Sequence, residues 1–184
     1  MIDAAPDTYP TTAPAVRRLT VADADELFCL QQQVIAESNF LLRDPTEDVF
    51  HIADVRRQLA AQKPNDVTLG ATMSGRLVGY LEASGGISSR SRATARLSMA
   101  VAALAQGRGI GRALLEALDG WALNNGVHRL ELMVITDNAT AIRLYERCGY
   151  QREHIRRHTM RVGGRFVDQW SMAKLLPWPG ETSS

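Results

Sequence analysis

The chain has two cysteines in 184 residues, Cys29 and Cys148. That number excludes a disulfide framework, and both positions suit apolar helix faces, which predicts buried free thiols. There is no run of ~18 apolar residues of the kind that crosses a bilayer. The N-terminus carries acids, prolines and threonines instead of a charged-then-apolar leader, so the expected address is cytoplasmic. Net charge is only +1, which gives no case for a general nucleic-acid or acidic-membrane partner. Aromatics make up 6% of the chain, and none interleave with the arginines at 152, 156, 157, 161 and 165. That arginine cluster therefore reads as a solvated face, with an acidic acceptor or partner as the minority alternative. His51 and His128 are isolated, His154 and His158 lack a completing carboxylate or cysteine, and no metal is expected. Ser38, Ser84 and Ser98 lack the G-x-S-x-G elbow of a serine hydrolase.

What the chain does have is a glycine-rich turn, Gln106-Gly107-Arg108-Gly109-Ile110-Gly111, after an apolar strand and before an amphipathic helix. Glycines let the backbone N–H groups of such a turn approach a bulky anion, and the helix start adds its positive dipole end. Arg108 and Arg112 add phosphate-gripping charge. A dinucleotide G-x-G-x-x-G is excluded by Arg112, and a P-loop by the absence of Gly-Lys-Ser/Thr. About thirty residues on lies Asn138-Ala139-Thr140-Ala141-Ile142-Arg143-Leu144-Tyr145-Glu146-Arg147-Cys148-Gly149-Tyr150. Asn138 suits a helix N-cap and Gly149 a left-handed C-terminal cap, with Ala141, Ile142, Tyr145 and Cys148 on one face.

The pattern at Gln106, Gly109 and Gly111 resembles the acetyl-CoA pyrophosphate loop of the GNAT superfamily of N-acetyltransferases. The second block is similar to that family's N-x-x-A-x-x-L-Y-x-x-x-G-[FY] signature, and the likeness covers roughly residues 16–176. It implies a mixed α/β, mostly antiparallel twisted sheet flanked by helices, with a splayed strand pair forming the acetyl-CoA cleft. It also implies direct acetyl transfer to a primary amine. The acceptor is expected to be a small amine or amino acid, or alternatively a peptide, a protein N-terminus or a lysine. A homodimer is compatible with the resemblance. A non-catalytic acyl-CoA-binding module is the alternative in another class.

Residue by residue, the resemblance assigns donor contacts to Met99, Ala100, Val101, Gln106, Gly107, Arg108, Gly109, Ile110, Gly111, Arg112, Asn138, Ala141 and Tyr145. Asn138 would serve equally as an N-cap alone. The chemistry needs a neutral amine, donors for the carbonyl oxygen, a proton for the thiolate and close alignment of the reactants. Tyr145 is the candidate acid, since a phenol of pKa ~10 keeps its proton at neutral pH; packing against the donor is the alternative. Many relatives carry a glutamate where this chain has Arg96, so the usual base is in doubt. Glu82 in the adjacent strand is the substitute, unless it is a solvated strand residue or an amine of low pKa needs no base. Glu37, Phe40 and Leu42, in a segment similar to E-S-x-[FY]-L-L of a subgroup, are acceptor-pocket candidates; the alternative is one surface acid and two core residues.

The periodicities predict a tail over residues 1–14, a single domain over 15–176 and a tail over 177–184. Strands are expected at 15–19, 67–73, 76–83, 94–101 and 129–134, with a final hairpin over 151–176 turning at Gly163-Gly164. Helices are expected from a capping box at Thr20–Asp23 to about residue 35, at about 48–62, from about 109 to 125, and after Asn138.

Overall fold

The computed structural model describes residues 13–38, 40 and 51–178. The strands are β1 (Ala15–Arg18), β2 (Asp66–Met73), β3 (Arg76–Gly85), β4 (Thr94–Val101), β5 (Arg129–Ile135), β6 (Gln151–Val162) and β7 (Arg165–Leu175). The helices are α1 (Ala24–Glu37), α2 (Ile52–Ala60), α3 (Ile110–Asn124) and α4 (Ala139–Arg147). The strands form one sheet in the order β1-β2-β3-β4-β5-β7-β6. Every neighbouring pair is antiparallel except β4 and β5.

That exception shapes the molecule. β4 and β5 pair over only three positions, Thr94↔Arg129, Ala95↔Leu130 and Arg96↔Glu131. Beyond them the second half of β4 continues along β3 to Gly79↔Val101, while β5 continues along β7 to Ile135↔Gln169. The two strands part, and the sheet opens at its centre.

Helices cover both faces. Gln31 of α1 bonds Glu82, whereas Ile110 of α3 approaches Gly79. Positions 79 and 82 of one strand point to opposite faces, so α1 and α3 lie on opposite sides. In α3 the i, i+3, i+4 spacing buries Ile110, Leu114, Leu115 and Leu118. Each such side chain contributes roughly 1.5–3 kcal/mol by leaving water. At the start of α1, Asp23 accepts hydrogen bonds from the Thr20 N–H (2.8 Å) and hydroxyl (3.1 Å), as the capping box predicts. Arg17 of β1 grips the same carboxylate at 2.6 and 3.0 Å.

Three expectations are revised. Cys29 is exposed and Cys148 half-buried, because Cys29 lies beside the Leu27/Leu30/Val34 stripe of α1 and not on it. The second helix ends at Ala60, and Gln62 instead turns its amide to the Thr68 hydroxyl at 2.7 Å; residues 48–50 lie outside the described residues. The last hairpin turns at Gly163 (φ +54) and Gly164 (φ +81) as expected, but β6 carries two register shifts that periodicity did not signal.

Candidate active site

The gap between β4 and β5 is the floor of a cleft of about 1190 Å³. One wall is built by backbone constraint. Gly107 (φ +73) and Gly109 (φ +79) occupy the left-handed region with nothing near a Cβ, so their role is conformational. Gly109 is the N-cap of α3, and its carbonyl accepts the Ala113 N–H at 3.0 Å. The N–H groups ahead of Ala113 have no carbonyl four residues back within the helix and are directed at the cleft. Gly111 differs: a Cβ there would meet Leu144 Cδ2 at 2.7 Å, so the Leu144 side chain of α4 packs closely over this glycine of α3. Gln106 Nε2 donates to the Val101 carbonyl at 3.1 Å, closing the end of β4. Arg112 Nε donates to Glu116 at 2.7 Å, one turn along α3.

The predicted donor residues gather here. Met99, Ala100, Val101, Gln106, Gly107, Gly109, Ile110, Gly111, Arg112, Asn138, Ala141 and Tyr145 all line the cleft, whereas Arg108 does not. Asn138 Oδ1 accepts the Ala141 N–H at 3.1 Å, so it caps α4 while facing the cleft. Tyr145 is 7% exposed, with its ring edge-on to Tyr150 at 5.8 Å. Burial first, and neighbouring Cys148 second, push its phenol up to about 12. The phenol therefore keeps its proton near neutral pH.

The other wall faces α1 and α2. Glu82 pairs in register with Ser98 of β4, and Gln31 Nε2 donates to its Oε1 at 3.1 Å. Gln31 is buried, and its own Oε1 has no partner among the described residues. Motif reading did not find Gln31, although one polar residue four after Leu27 in an apolar helical stripe is a signal that could have. Arg96, at the position where relatives carry an acid, donates to Glu131 Oε1 at 3.0 Å. Arg129 joins the same glutamate at 3.2 Å and Glu153 at 2.6 and 2.7 Å, giving a chain of alternating charge across β4, β5 and β6. Arg96 is thus engaged as a cation at the closed end of the gap.

Glu37 lines the cleft, with one oxygen accepting the Gln33 amide and the other the Ala103 N–H, both at 2.8 Å. It fastens the end of α1 to the segment leading into the glycine turn. Phe40 also lines the cleft and is exposed, and Leu42 lies outside the described residues. The cleft also includes Met133 and the buried Gln169, which no motif marked. Among the described residues no three His, Cys, Asp or Glu side chains group as a metal site, and no helix is long and apolar enough to cross a membrane.

Comparison with known proteins agrees with this geometry. A model of the acetyltransferase (GNAT) family matches residues 35–150. The N-alpha-acetyltransferase RimI of Mycobacterium tuberculosis (strain ATCC 25618 / H37Rv) is 36% identical over 173 residues, covering 91% of this chain and 94% of the relative. The L-amino acid N-acetyltransferase AaaT of Escherichia coli (strain K12) is 30% identical over 119 residues, 62% of this chain and 72% of the relative. A GNAT superfamily phosphinothricin acetyltransferase from Sinorhizobium meliloti, solved in complex with AcCoA, superposes with TM-score 0.81 at 20% identity over 94% of this chain and 93% of that one. A non-catalytic binding module is accordingly not retained. The motifs, the parted sheet and the relatives agree: the chain belongs to the GNAT family and is an N-acetyltransferase that takes acetyl-CoA as its donor.

Proposed function

We propose that the chain transfers acetyl directly to an α-amino group, of a free amino acid or of a peptide N-terminus. The observation that carries this reading is that Tyr145 and Glu82 line one cleft from opposite faces of the sheet, on either side of the gap between β4 and β5. The names of two relatives support the acceptor class, since one is an N-alpha-acetyltransferase and the other an L-amino acid N-acetyltransferase.

Bound acetyl-CoA would supply an activated acyl group as a thioester. The glycine turn and the first turn of α3 would hold its pyrophosphate through backbone N–H groups. The Met99–Val101 edge of β4, freed from β5, offers main-chain donors and acceptors to the pantetheine arm and the carbonyl oxygen. Glu82 takes the proton that the attacking amine loses, directly or through a water, and Gln31 holds the carboxylate for that role. Tyr145 gives its phenolic proton to the departing thiolate as the C–N bond forms and the C–S bond breaks. No covalent enzyme intermediate is needed, because alignment of the two reactants supplies much of the rate.

Thiol release tests the acceptor class, using free amino acids and short peptides against Nα-blocked lysine and polyamines. Release with the α-amines is expected. Preference for blocked lysine or a polyamine would overturn the reading.

A further inference from the structure

The arginines of the last hairpin are separated by the fold. Arg152 pairs with Glu146 at 2.7 Å and lies over the Trp170 ring, and Arg161 donates to the Gly164 carbonyl at 3.3 Å. Arg156 takes another course. It pairs in register with Gln169 of β7, on the sheet face that also carries Met133 of β5 and Glu82 of β3. Its guanidinium crosses β7, about 10 Å of sheet, and donates to Met133 Sδ on the cleft wall. Among the described residues it meets no carboxylate.

A bulge fixes this placement. Between the pairs Arg156↔Gln169 and Met160↔Val167, β6 advances four residues while β7 advances two. The excess is taken up at His158, a non-glycine residue with φ +52 whose N–H donates to Asp168 Oδ1 at 2.9 Å. Bulges of this kind re-aim side chains beside active sites. Gln169 is held in turn: its Oε1 accepts the Thr159 hydroxyl at 2.9 Å, which orients the amide and leaves Nε2 on Met160 Sδ at 3.1 Å. It is 5% exposed and lines the cleft. Met133 and Gln169 both line the cleft, and the two nitrogen donors of this register pair each rest on a thioether, a weak acceptor.

We propose that Arg156 and Gln169 form a carboxylate subsite on the acceptor wall, so that the preferred acceptor is an amine carrying a carboxylate close to the reacting nitrogen. A guanidinium and an amide N–H each match a carboxylate oxygen far better than they match sulfur. Met133, on which the guanidinium rests, stands on β5 next to the gap. The inference rests on the α-amine reading above. The carboxylate can be the α-carboxylate of a free amino acid or the side chain of an acidic second residue in a peptide.

The test compares kcat/KM for L-alanine against L-alaninamide, and for Ala-Asp amide against Ala-Asn amide, in wild type, Arg156→Gln and Arg156→Lys. In wild type the carboxylate member of at least one pair is expected to be favoured by about tenfold to a hundredfold, the range for hydrogen bonds to a charged group. The pair that shows the preference names the source. Arg156→Gln is expected to bring that ratio to near one, with Arg156→Lys between, since lysine keeps charge and loses the fork. Ratios near one in wild type, or a preference that survives Arg156→Gln, would overturn the subsite. If neither member of either pair releases thiol, the α-amine reading fails. The subsite is then decided by titrating N-acetylalanine and N-acetylalaninamide into the CoA-loaded protein, where the same ratios are expected and equal affinities would overturn it.

Discussion

Along the wall that β4, α3 and α4 contribute, position is set by the backbone: left-handed φ at Gly107 and Gly109, a close crossing at Gly111, and an N-cap at Asn138. Along the wall of β3, β5, β7 and β6, position is set by side chains drawn from distant parts of the chain, such as Gln31 on Glu82 and Arg156 on Met133. In the function proposed above, the first wall would serve a donor whose pyrophosphate main-chain N–H groups can meet. The second would fit the acceptor, and its chemistry would lie in side chains. One cleft could therefore keep its donor while changing what it acylates.

That division can be broken from either side. Tyr145→Phe is expected to have the largest effect, lowering kcat about a thousandfold while acetyl-CoA affinity stays within a few fold. Steady-state thiol release alongside calorimetry separates the two quantities, and an undiminished rate would remove Tyr145 as the acid. Because burial raises the phenol to about 12, no loss of kcat from its ionisation is expected as pH rises towards 10. Gly109→Asp should act on affinity instead. A left-handed side chain costs about 1–2 kcal/mol, and a carboxylate beside pyrophosphate adds repulsion, so a loss of about a hundredfold in acetyl-CoA binding is expected. Unchanged affinity in a titration would sink the pyrophosphate assignment.

Glu82→Gln is expected to lower kcat about tenfold or more at neutral pH, with acetyl-CoA affinity kept, and the loss should shrink as alkaline pH supplies more neutral amine. A pH-independent deficit would argue that Glu82 only packs against Gln31. Away from both walls, Asp23→Asn should cost about 1 kcal/mol as a lost cap partner. The Asp23 carboxyl is held well below its ordinary 3.8 by Arg17 first. Its stabilisation is thus fully present above about pH 4 and fades as pH falls through the depressed value, so wild-type and variant denaturation midpoints should converge in acid. Cys29→Ser, at an exposed thiol off the helical stripe, should change stability by no more than about 0.5 kcal/mol.

How far the sequence could be read follows the same division. The glycine turn and the start of α4 were legible because glycine at a left-handed position and asparagine at a helix start are local requirements, visible within a dozen residues. The strand order was not local, and the three-residue pairing of β4 with β5 depends on where β7 inserts. Glu82 could be placed near the gap from the 76–83 strand alone, but its partner Gln31 lies 51 residues away. Arg156 read as one of five solvated arginines, because the bulge at His158 that aims it depends on an unequal register with β7. Cys29 was misjudged through its neighbours Leu27 and Leu30, since 3.6 residues per turn carries position 29 off the apolar face.

Hydrogen exchange with and without acetyl-CoA tests the division most directly. Slowed exchange is expected in 99–112 and 138–145, with 151–160 unchanged. Protection of 151–160 in place of the glycine turn, or binding that leaves the turn unprotected, would contradict the assignment of the donor to the backbone-built wall.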